Sequence, residues 1–130
     1  MKTSCFKYYT GDNGVAICIY PPIDWKGLRF PALEPGRQMF YDVKNGKITH
    51  EEYEKLYREK ILSKLNSQQI YDIFKNAVLL CWEEPGVETC HRRIVARWLK
   101  ENLNVEVPEW TKQDEKMEEL LKNKNTKPLF

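Results

Sequence analysis

Histidine is scarce in this sequence, with two among 130 residues. The four cysteines, Cys5, Cys18, Cys81 and Cys90, lack the dense spacing of a secreted disulfide framework. No apolar run approaches the length of a membrane span, and Met1-Lys2-Thr3 is not followed by a signal-type apolar core. Excess charge is missing as well. A net charge of +2 is too small to mark a nucleic-acid protein by itself. Gly-x-Gly-x-x-Gly, a Walker loop, Gly-x-Ser-x-Gly and His-Glu-x-x-His are all absent, which removes the common nucleotide, hydrolase and metalloprotease signatures. The expectation is a soluble, cytoplasmic chain with reduced thiols and no membrane partner.

With 42% hydrophobic and 31% charged residues, the composition suits a folded domain. Residues 1–122 are expected to form a single α/β domain, and 123–130 a frayed tail. Cys5–Tyr9 reads as a first strand, ended by turn residues Gly11–Gly14, and Val15–Tyr20 as a second, stopped by Pro21-Pro22. These two strands can pair as a hairpin. Ile23 to Gly36 is a long loop containing Trp25, whose aromatic content predicts that it packs down. A short helix is predicted from Arg37 to Val43. Thr49-His50-Glu51-Glu52 is a capping box that opens a helix reaching about Leu65. A further helix over Gln68–Lys75 leads to an Ala77–Cys81 strand. A helix follows from Cys90 to Leu103, then a strand at Val105–Val107 and a helix over Asp114–Lys122. The order predicts a three-layer, Rossmann-like α/β domain with a small mixed, mostly parallel sheet flanked by helices.

Chemistry concentrates where the Ala77–Cys81 strand turns into the Cys90 helix. In α/β folds that junction forms a crevice with unpaired helix N–H groups. Cys90 in a first helical turn, beside Arg92 and Arg93, is a candidate nucleophile through a favoured thiolate. His91 and Glu83 are the candidate bases. Arg92, Cys81, Thr89 and Trp25 are candidate ligand-binding residues. Two arginines at the positive end of a helix dipole need compensation, from a bound anion or from a glutamate of the turn. Zinc is not expected: there is no Cys-x-x-Cys pair, and adjacent Cys90 and His91 are expected to diverge, so Cys81, Cys90, His91 and Cys18 do not assemble a site. No cofactor is implied.

Val78-Leu79-Leu80-Cys81-Trp82-Glu83, followed by Cys90-His91-Arg92 and the amphipathic Ile94–Leu99 segment, resembles the family called domain of unknown function 488. Ala16–Pro22, Leu33-Glu34-Pro35 and Ile48–Tyr53 are also similar to it. The resemblance implies a compact α/β domain with no general reaction assigned, and a site at Cys81, Glu83, Cys90, His91 and Arg92. Many members resemble one another in an Asp-Val-Arg segment after the second strand, where this chain has Ile19-Tyr20-Pro21.

Three readings follow from the residues. The first is an anion- or nucleotide-binding crevice, with enzyme chemistry on a phosphorylated or nucleic-acid-like substrate. The second is a binding module for nucleic acid or protein, using an Arg93/Arg97/Lys100 face. In the third, the cysteine motif is a hydrogen-bonded network that pins strand to helix.

Overall fold

A computed structural model describes residues 1–126. Its centre is a four-stranded sheet in the order β1-β4-β2-β3, parallel throughout, in a three-layer α/β arrangement. The strands are β1 (Lys2–Cys5), β2 (Gly14–Ala16), β3 (Leu28–Arg29) and β4 (Val78–Cys81). The helices are α1 (Arg37–Lys44), α2 (His50–Lys60), α3 (Ser67–Phe74), α4 (His91–Leu103) and α5 (Lys112–Thr126). Single 3₁₀ turns lie at Pro31–Leu33 and Leu62–Lys64.

β4 lies between β1 and β2, with Cys5 level with Cys81 and Val15 level with Leu79. That insertion rules out the expected hairpin across Gly11–Gly14. All four residues of β4 are buried, as befits a strand covered on both faces. α4 packs against β1 and β4, and α2 and α3 pack against α4. Leu79, Ile94, Val95 and Leu99 belong to one core cluster there, each at most 1% exposed. Each such side chain contributes roughly 1.5–3 kcal/mol by leaving water.

The capping box forms as expected: the Glu52 N–H donates to Thr49 Oγ1 at 3.1 Å, and the Thr49 N–H to Glu52 Oε1 at 3.0 Å. α2 is shorter than expected, ending at Lys60 before the 3₁₀ turn. The first strand is Lys2–Cys5 rather than Cys5–Tyr9, because the N–H groups of Tyr8 and Tyr9 fold back onto the Cys5 carbonyl. Buried Thr3 and Ser4 are tolerated there because Thr3 Oγ1 donates to Glu109 Oε2 and Ser4 Oγ to the Trp110 carbonyl, both at 2.7 Å. β2 is also shorter than expected, and β3 arises within the segment expected as loop.

Val105–Val107 is not a strand. Pro108 lacks an N–H, and the chain pairs with β1 only through an isolated parallel bridge between Thr3 and Glu109. The last helix starts two residues earlier than expected and extends to Thr126, past the expected start of the tail at Asn123. Residues 127–130 of that expected tail lie outside the described residues.

Candidate functional site

β4 ends at Cys81, and the chain then turns through Gly86, whose φ of +104° suits glycine. It enters α4 with Cys90 as the N-terminal capping residue, in extended conformation (φ −64°, ψ 142°), its side chain making no capping bond. The Cys90 sulfur is therefore free to turn towards the strand end. One ligand atom from each of Cys81, Cys90 and His91 lies within 4.8 Å of the other two, and all three residues are buried. His91 Nε2 lies 2.7 Å from the Ile17 carbonyl oxygen and 3.3 Å from Cys81 Sγ. His91 Nδ1 lies 3.8 Å from Cys81 Sγ and 4.0 Å from Cys90 Sγ. The adjacent Cys90 and His91 side chains thus converge, against the expectation that they diverge at a helix start. An extended capping residue directs its side chain differently from a helical one.

Two further groups hold the Cys90 sulfur. Its thiol donates to Glu83 Oε2 at 3.2 Å, and Arg92 Nη1 donates to the sulfur at 3.4 Å. Arg92 is fully buried and paired with Glu109 through two bonds, Nε to Oε2 at 3.2 Å and Nη2 to Oε1 at 3.0 Å. Compensation for this arginine comes from Glu109, not from the turn glutamates and not from an open anion pocket. Arg93 donates to Thr3 Oγ1 at 2.9 Å and to the Val107 carbonyl at 2.7 Å, with Glu88 at 3.4 Å.

The electrostatics divide the two cysteines. The Cys90 thiol is held well below its ordinary pKa, first by Cys81 as a hydrogen-bonding neighbour; burial opposes this, and His91 and Arg92 reinforce it. Burial, with Cys90 nearby, pushes Cys81 well above its ordinary value. Burial works against a charged His91, but Cys90, the Ile17 carbonyl and Glu83 outweigh it and raise the pKa. Glu83 is raised by burial and by Cys90. These shifts favour a thiolate at Cys90 and a charged imidazole at His91, beside a carboxyl that holds its proton more tightly than usual.

A cavity of about 380 Å³ opens onto these groups, lined by Cys81, Glu83, Thr89, Cys90 and His91. Ile19, Phe40, Val43 and Tyr53 give it apolar walls, and Lys44 and His50 also line it. Five of the seven expected site residues therefore meet there. Arg92 stands behind Cys90, outside the cavity lining. Trp25 is not in the lining either: its ring packs edge-on against Phe6, with centroids 5.2 Å apart, and Nε1 donates to the Leu28 carbonyl.

Sequence reasoning missed Glu109, Tyr53, Lys44 and His50 as members or neighbours of the site, and weighed Cys18 only as a metal ligand. Tyr53 had a usable signal, the three- and four-residue spacing that puts it on the inward face of α2. Glu109 had none, since it meets Arg92 only through the fold.

Fold and site together define an α/β protein with a buried thiol–imidazole cluster at the carboxyl end of its central strand. Residues 16–103 match the family model described as the active DUF488-N3 subclade. The chain belongs to the DUF488 family. The match takes in Cys81, Glu83, Cys90, His91 and Arg92, and stops short of Glu109. Neither the curated proteins nor the solved structures give a match.

Proposed function

We propose that the cavity is the active site of a thiol-dependent enzyme, with Cys90 as nucleophile, acting on a small anionic substrate of nucleotide-like size. The observation that carries this reading is the placement of Cys90 Sγ: on the cavity, 3.4 Å from Arg92 Nη1 and 4.0 Å from His91 Nδ1. A thiolate is stabilised by such donors, and a cavity wall gives substrate a route to it. The apolar walls suit a flat organic body, and Lys44 and His50 suit its anionic group. Among the described residues Lys44 has no carboxylate partner, its ammonium lying 5.7 Å from the Phe40 ring centre.

The chemistry these residues support is a two-step displacement. Cys90 sulfur bonds to the electrophilic atom of the substrate, the leaving group departs, and Glu83 gives it a proton. Water then attacks the covalent intermediate, Glu83 carboxylate takes the water's proton, and the sulfur leaves as thiolate. Arg92, which faces the sulfur and not the cavity, is a positioning residue.

Iodoacetamide at pH 7 tests the nucleophile. Cys90 should be carbamidomethylated in folded protein, with mass-spectrometric stoichiometry near one, and a nucleoside monophosphate should slow the reaction. A Cys90 that reacts only on unfolding sinks the proposal. One observation favours the structural alternative: among the described residues no buried side-chain nitrogen or oxygen lacks a hydrogen-bond partner. A closed network of that kind would leave Cys90 inert in the same experiment.

A further inference from the structure

We propose that Cys81 Sγ, Cys90 Sγ and His91 Nδ1 form a binding site for a thiophilic divalent cation, Zn²⁺ by class, which masks the cavity thiol reversibly. The proposal rests on the reading of Cys90 as the reactive group of the cavity. In a tetrahedral zinc site, Zn–S of about 2.3 Å and Zn–N of about 2.0–2.1 Å place sulfurs about 3.8 Å apart and sulfur and nitrogen about 3.6 Å apart. Here Nδ1 lies 3.8 and 4.0 Å from the two sulfurs, and the donor set spans at most 4.8 Å. Closing on a metal needs side-chain shifts of about 1 Å or less. Among the described residues no other three His, Cys, Asp or Glu side chains converge in this way.

The groups behind the donors are arranged for the same end. The Ile17 carbonyl, 2.7 Å from His91 Nε2, can only accept, so Nε2 carries a proton, and Nδ1, once it gives up its own, turns a lone pair towards the sulfurs. A ligating histidine is ordinarily fixed through its other nitrogen in this manner. Arg92, itself held by Glu109, supplies an N–H to the Cys90 sulfur. The three donor residues all line the cavity, as does Glu83, whose Oε2 lies 3.2 Å from Cys90 Sγ.

Two thiolates and an imidazole are soft and borderline donors, suited to Zn²⁺ and poorly matched to Mg²⁺ or Ca²⁺. On binding, two metal–sulfur bonds and one metal–nitrogen bond form, and any thiol proton still held, with the Nδ1 proton of a charged His91, passes to solvent. The charges of two thiolates and a divalent cation cancel, which suits a buried site.

The test begins with protein freed of metal by EDTA and dialysed, then titrated with Co²⁺ as spectroscopic substitute. Thiolate-to-cobalt charge-transfer absorption and intense visible bands should saturate at one equivalent, and Zn²⁺ should bleach them. Cys81→Ser and His91→Ala should each weaken binding by at least about tenfold, while Cys18→Ser should leave the bands unchanged. One equivalent of Zn²⁺ should also slow iodoacetamide labelling of Cys90 in the unmutated protein, and EDTA should restore it. Protection of the unmutated protein decides the matter if the ligand variants fail to fold by circular dichroism. A cobalt spectrum like that of the aqueous ion, with labelling indifferent to Zn²⁺, overturns the proposal. Loss of the bands in Cys18→Ser overturns the donor set. A Cys90 that is inert without metal, in protein that still gives the cobalt bands, overturns the nucleophile reading alone.

Discussion

Cys18 and Cys90 line one cavity together with Cys81, and differ in what surrounds them. Cys18 lines the same space as Cys90, but burial pushes its thiol up to about 11. At neutral pH it is a protonated, weakly nucleophilic core residue. Cys90 has Arg92 and His91 beside its sulfur instead. In a competition with limiting iodoacetamide at pH 7.5, Cys90 should be modified ahead of Cys18 by about tenfold or more. Labelling at Cys18 should then climb about tenfold per pH unit towards about 11. Peptide mapping of the alkylated protein reads both. Equal labelling of the two thiols at pH 7.5 would mean that neither carries a special environment.

At the scale of elements, α2 and α4 are joined by charges that the sequence displays but does not pair. Arg97 Nη2 meets Glu54 Oε1 at 2.6 Å, and Arg58 Nε meets Glu54 Oε2 at 3.0 Å. Arg58 also forks onto Glu101 of α4, at 2.8 and 3.1 Å. The Arg93/Arg97/Lys100 face, expected as a docking surface, is thus largely engaged with Glu88, Glu54 and Glu106. Partial burial works to raise the Glu54 carboxyl, but hydrogen bonds from Arg97 and Arg58 outweigh it and hold its pKa below the ordinary value. A depressed folded-state pKa contributes stability that is present above the unfolded value and lost as pH falls through the folded one. Chemical denaturation between about pH 5 and about pH 3 should show part of the acid loss arising here. Glu54→Gln should be less stable at pH 7 and flatter across that window. A variant with the unmutated slope would remove Glu54 from the account.

The elements that were legible in the sequence carry local signals. The capping box of α2 and the strand–turn–helix around Cys81 and Cys90 both declare themselves within a few residues. What was not legible depends on distant partners. β1 is polar at three of its four residues, and Thr3 and Ser4 are acceptable inside only because Glu109 and Trp110 arrive from 106 residues away. β3 is two exposed residues, Leu28 and Arg29, too short for any alternation to show. The convergence of Cys90 with His91 was hidden for another reason: it depends on the extended backbone of one capping residue.

At the scale of the whole molecule, the segment after α4 completes the site from outside the family match. Trp110 N–H donates to the Thr3 carbonyl at 2.8 Å, and Thr3 N–H to that of Pro108 at 3.0 Å, which clasps the segment to β1. The clasp sets Glu109 against Arg92, a side chain with no exposed surface. Removing one member of a buried pair leaves the other charge without compensation and costs about 3–5 kcal/mol. Glu109→Ala should therefore lower the unfolding free energy by about that much, although the residue lies beyond the matched region. Arg92→Lys should also destabilise, because an ammonium cannot fork onto Glu109 while reaching Cys90. Glu109→Gln separates fold from chemistry. It keeps an oxygen to accept from Arg92 and Thr3, so it should be milder in denaturant titrations than Glu109→Ala. It also leaves the Arg92 charge unneutralised behind the Cys90 sulfur, so iodoacetamide labelling of Cys90 should be undiminished. If Glu109→Gln unfolds as readily as Glu109→Ala, the carboxylate's charge, not its geometry, is what the buried arginine requires.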